Sequence, residues 1–211
     1  MENYQEQYNQ ELHQQEIRSN LQTLKGFFWI FATVLVIWVL TLLRIFIVDA
    51  GIFTMAVGIS AVIGIPIVYI YKKVDLSKQW VKYVFLTLIC MISAIFATFL
   101  SFHAVLIYVL PLLLAVQYRQ KRSLWITYFV NDITMTISML AGFYHGICDL
   151  NLLLGSNHTR SWYLEQWSAG ALQFDLEPDP VFVILFYGAL PRAVILLVFT
   201  LILRYISISS H

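Results

Sequence analysis

Charge is scarce in this sequence. Asp, Glu, Lys and Arg make up 12% of its 211 residues, against roughly 25% in an ordinary soluble domain. That excludes a conventional water-facing surface, and no basic stretch suits nucleic acid, so none is expected as a partner. Cysteine is nearly missing. Cys90 and Cys148 are the only two, too few for an all-cysteine metal site or a disulfide framework. The sequence holds no Gly-rich phosphate loop, no nucleophile elbow and no HExxH pair. Every Glu lies either at or before Glu16 or between Glu165 and Glu177. These gaps argue against an enzyme, and no cofactor can be named. No cleaved leader is expected, because the first residues are polar and the first apolar run is too long for one.

Apolar surface is what the chain has in plenty. Hydrophobic residues reach 60% and the mean hydropathy is +0.75. The expectation is an all-α, polytopic membrane protein of six transmembrane helices. Residues 1–25 are polar, and Tyr4, Tyr8, Leu12, Ile17, Leu21 and Leu24 recur at near-helical spacing, as an amphipathic lead-in would. The six-helix domain covers 26–206. Its spans are Gly26 to Val48, Ile52 to Tyr71, Tyr83 to Leu100, a fourth that follows a short link around Phe102 and His103 and runs to about Tyr118, a fifth from Trp125 to Asp149, and Pro180 to about Ile206. An acidic, aromatic loop, 150–179, separates the last two. Residues 207–211 begin a tail or a linker to an output domain beyond His211.

Lys and Arg set the orientation. With the N-terminus inside, Arg18, Lys25, Lys72, Lys73, Lys78, Lys82, Arg119, Lys121, Arg122 and Arg204 are all cytoplasmic, ten of the thirteen basic residues. Both chain ends are then cytoplasmic and the long loop is external.

The fifth span organises the polar residues. Asn131, Met135, Ser138, Gly142, His145 and Asp149 fall on one helical seam. It reads as the inner wall of the bundle. Small residues on the second span (Gly58, Ala61, Gly64) and on the third (Ser93, Ala97, Ser101) suit close helix contact. Asp132 beside Asn131 is a costly group in a membrane. Counting ~1.5 Å per residue from the inner face puts it ~12 Å deep and Arg192 ~18 Å deep, so the two are expected to pair. Such a pair is either a helix-to-helix staple or a switch that a ligand or proton loosens. Near the outer face lie Arg44, Asp49, His103, His145 and Asp149, with Trp162 in the loop. They are the ligand-binding candidates. His145 and Asp149 have a spacing that suits a metal, but no motif supports one, and a small-molecule pocket or plain interfacial solvation are the other readings. Trp162 fits a membrane anchor as well as a lid. Asn157-His158-Thr159 matches a glycosylation pattern that matters only in a secretory pathway.

The stretch LSFHAVLIYVLPLLLAVQYRQKRSLWITYFVND, with a short helix around a proline, a basic turn and an aromatic helix start, resembles the membrane sensor regions of bacterial signalling proteins. The most similar of these precede GGDEF diguanylate cyclase domains, with sensor histidine kinases as relatives in architecture. The resemblance covers 26–206 in layout and His103 to Asp132 in detail. It implies a dimeric sensor in the inner (plasma) membrane whose sixth helix carries the signal. No GGDEF motif is present, so no catalytic residue carries over. Size and helix count are also similar to the vitamin-binding subunits of energy-coupling-factor importers, without their Ala-rich contact motif on the first helix. A scaffold, like the small six-span proteins of cell-wall assembly, is a third reading.

Overall fold

The polar N-terminal stretch and the first apolar span fold as one helix. In the computed structural model, which describes residues 2–45, 50–100, 106–144 and 179–209, α1 runs unbroken over Glu2–Leu42, 41 residues. At ~1.5 Å per residue that is ~60 Å, about twice a hydrocarbon core. Gly26 does not interrupt it. The end of α1 is closed by a Schellman arrangement: the Ile45 amide donates to the Leu40 carbonyl and the Arg44 amide to the Thr41 carbonyl, both at 3.0 Å. Arg44 occupies the left-handed position, φ 58°, that glycine usually takes.

The remaining elements are α2 (Ala50–Lys73), α3 (Gln79–Leu100), α4 (Leu110–Val116), α5 (Lys121–Tyr144) and α6. The last has three parts: an α-helical turn Pro180–Val183, a π-helical segment Ile184–Ala189 and an α-helix Leu190–Ser209. No strand occurs among the described residues.

Five helices are long and apolar enough to cross a membrane. The expected fourth span is shorter. Its described part is the apolar stretch Leu106–Val116, a 3-10 turn over Leu106 to Val109 followed by α4. Pro111 sits in the first turn of α4, where its missing amide costs nothing within the helix.

The most enclosed helix is α3, not α5. Of their most apolar windows, 61% is buried in α3 and 28% in α5. Ser93, Ala94 and Ala97 are buried on α3, and its pairing with α5 is the most extensive in the bundle. Thr98 and Ser138 hydrogen-bond across that pair, and both hydroxyls also reach the Ala94 carbonyl at 2.9 Å. The seam on α5 does face the bundle: Asn131, Met135 and Gly142 are buried. The opposite stripe, Phe129, Ile133 and Ile137, is exposed and suits lipid, so α5 is a wall with one buried, partly polar seam.

Small residues do not all serve contacts. A Cβ on Gly26 would lie 2.5 Å from Leu114 Cδ2, whereas one on Gly58 would meet nothing within 4 Å. Gly26→Val should therefore push α1 off α4 and cost about 1–3 kcal/mol. Gly58→Ala should be neutral or stabilising by up to about 1 kcal/mol, from helix propensity alone. Thermal unfolding in detergent micelles reads both. A clear loss at Gly58 would show that another surface packs on that face.

Candidate functional site

Two polar constellations stand out in the described residues. The first lies at the end of the bundle where α1 passes the two basic links. Lys82, at the start of α3, is 2% exposed and its Nζ lies 2.6 Å from Glu16 Oε1 on α1. It also donates to Gln120 Oε1 at 2.9 Å, and Gln120 Nε2 donates to Glu16 Oε1 at 2.9 Å. One turn along α1, Asn20 is fully buried. Its amide donates to the Leu76 carbonyl at 2.7 Å, and its oxygen accepts the Tyr118 hydroxyl at 2.7 Å. Ser19 donates to the Gln117 carbonyl at 3.2 Å. Three segments distant in sequence are thus tied to a single face of α1. Burial pushes the Tyr118 phenol above its ordinary range, which keeps it a neutral donor. In the α2–α3 link, Asp75 accepts the Ser77 amide at 3.0 Å, and that bond holds its carboxyl below the usual value. Beside these contacts runs a polar cleft of ≈ 450 Å³ lined by Glu11, Arg18, Gln22, Gln117 and Arg119. Arg119 holds a left-handed backbone, φ 52°.

None of this was legible as a site in the sequence. Residues 1–25 read as a lead-in helix, and Lys82 only as one of the basic residues that set the orientation. The available signal is the polar line Glu16, Asn20, Thr23 at helical spacing, which runs into the buried apolar line Leu24, Phe27, Val34.

The second constellation is intramembrane. Asn131 is fully buried and donates to the Tyr108 carbonyl at 2.7 Å. Pro111, three residues after Tyr108, brings no amide to that carbonyl, and Asn131 supplies a donor from α5. Asp132 has one buried oxygen without a hydrogen-bond partner. The expected pair with Arg192 is not formed. Arg192 Nη1 donates to the Gly188 carbonyl at 3.1 Å and lies 3.6 Å from Met139 Sδ. The reason is directional. Helical side chains lean toward the N-terminus of their own helix. On the antiparallel helices α5 and α6 that carries Asp132 and Arg192 apart. Depth counting compared Cα heights and ignored that lean. One turn before Asp132, Tyr128 instead crosses to α6, donating to the Ala193 carbonyl at 3.3 Å.

Of the outer candidates, only Arg44 lies among the described residues. It is exposed, and its backbone closes α1. Asp49, His103, His145, Asp149 and Trp162 lie outside the described residues, as does Cys148. Cys90 is a buried free thiol. Among the described residues no three His, Cys, Asp or Glu side chains are grouped to hold a metal. No family model, curated protein or solved structure matches the chain.

Removing one partner of a buried pair strands the other. Lys82→Met should cost about 3–5 kcal/mol, and Lys82→Met with Glu16→Met less than the sum of the two singles, by about 1–3 kcal/mol. Chemical unfolding in micelles measures the cycle; strictly additive losses would mean that the pair is not coupled. For Tyr118 the folded pKa lies above the unfolded value of about 10, so its stabilisation is complete below pH ~10 and is lost as pH rises beyond it. Comparing wild type with Tyr118→Phe from pH 8 to 12 isolates that contribution. The wild type should lose stability faster with pH, and parallel curves would show that water reaches the phenol.

Proposed function

We propose that the chain is a membrane-embedded sensory domain that detects an external or membrane-borne ligand and passes the signal through its last helix to a cytoplasmic output domain. The observation that supports this most is the π-helical segment Ile184–Ala189 immediately ahead of Pro191 and Arg192. The Leu190 amide reaches back to Leu185, five residues, instead of the usual four. Proline can neither donate nor tolerate the carbonyl four residues behind it, and the widened turn absorbs that conflict. A π turn holds one residue more than the α turn it replaces. Relaxing it to α geometry turns everything beyond by about 100°. Arg192 grips this joint from below, through Gly188, and touches α5 through Met139. In this reading the joint is a two-state element that touches α5 at Met139.

In this reading the bundle has six spans, with Leu106–Val116 as part of the fourth, and sits in a bacterial inner membrane with both ends cytoplasmic. Asn131, Asp132 and Arg192 form the switch region. Arg44, Asp49, His103, His145, Asp149 and Trp162 border the outer face where a small molecule would act. A second copy of the chain would complete the signalling unit. A ligand works only by binding the two arrangements unequally.

The test is a chimera in which Ser209 continues in helical register into a diguanylate cyclase domain. Deleting Phe186 removes the extra residue of the π turn and should change cyclic dinucleotide output at least about five-fold, with membrane expression intact. Arg192→Ala should also shift the output. Unchanged output from both variants would rule out α6 as the transmitting element.

A further inference from the structure

The α1–α2 interface leaves a groove of ≈ 460 Å³ open to the outside of the bundle. Its walls are apolar: Phe28 and Phe31 from α1, Ala61, Ile65 and Val68 from α2. Its floor is tight, because a Cβ on Gly64 would come within 3.2 Å of Phe27 Cζ. One end is different. Lys72 and Lys73, in the last turn of α2, line the same groove and are exposed. Among the described residues neither joins an ion pair. The nearest acid in sequence, Asp75, is turned onto the Ser77 amide. Lys25 lies one turn before Phe28 on the same stripe of α1, also exposed.

A greasy slot with cations at one end complements one class of molecule: an acyl chain joined to a negative headgroup. We propose that this groove binds one anionic phospholipid, its acyl chain along Phe28, Phe31 and Ile65 and its phosphate between Lys72 and Lys73. The groove lies toward the end of the bundle that carries the Lys82–Glu16 contacts, since Lys72 and Lys73 open the link that leads to Lys82. A lipid bound there touches α1 just where the helix leaves its polar contacts and enters the apolar core. The site stands whether or not the chain is a sensor.

Native mass spectrometry tests it, with purified protein exchanged into nanodiscs of equal phosphatidylglycerol and phosphatidylcholine. Wild type should retain one lipid and favour phosphatidylglycerol by roughly ten-fold or more, as two lysines near a headgroup would give. Lys72→Gln with Lys73→Gln should keep one lipid but lose the preference to within about two-fold. Ala61→Phe, which fills the slot, should abolish retention of both lipids. Equal retention of the two lipids by wild type would overturn the proposal. So would a preference that survives neutralisation of both lysines, or retention that survives Ala61→Phe.

Discussion

An ammonium group removed from water must be paired, and Lys82 is removed almost completely. Its partners come from the polar end of α1 and from the turn before α5, so burying one lysine commits three segments to one arrangement. The rest of the bundle builds on that commitment. With Glu16 and Asn20 held on one side of Gly26 and Phe27 and Val34 buried on the other, α1 remains one helix from its polar stretch into its apolar span. Because Leu76 and Tyr118 are tied to Asn20, both links are drawn to the same face, and α3 enters between them as the most enclosed helix. The cluster is not saturated, since Glu16 Oε2 and Gln117 Oε1 are buried there without a hydrogen-bond partner, so removing any one of its bonds adds to a desolvation cost already carried.

Prolines decide where the intramembrane polar groups go. In a bilayer a carbonyl without a donor has no water to turn to. Pro111 brings no amide toward Tyr108, and Asn131 on the neighbouring helix meets that carbonyl. Pro191 disturbs the helix ahead of it, and the chain answers with a π segment and with Arg192 folded back onto Gly188. In both places a polar side chain donates to a helix carbonyl three residues before a proline. That is a reason for Asn131 and Arg192 to sit in apolar spans that does not depend on pairing with Asp132. Asn131 and Asp132 each keep one buried oxygen without a hydrogen-bond partner.

The α5 seam could be read from spacing alone, since period 3.6 carries Asn131, Met135 and Gly142 to one side wherever the helix lies. The lysine pair at the end of α2 was legible as charge, but not as one end of a groove, because the groove exists only when Phe28 and Phe31 of α1 come alongside. Arg44 read as a ligand group by its type and place. Its described role is to take a left-handed turn, which side-chain chemistry does not announce.

Composition and local period, by themselves, determined that the chain is helical, that it lies in a membrane, and which face of α5 is polar. These follow from the cost of exposing apolar surface to water and backbone to lipid, costs that each segment bears on its own. Tertiary structure alone decided that α1 is continuous, that Lys82 is buried with Glu16 and Gln120, and that Arg192 turns from Asp132 toward Gly188. Each of these depends on the direction and reach of side chains from helices distant in sequence, and neither direction nor reach is written in the spacing of one segment.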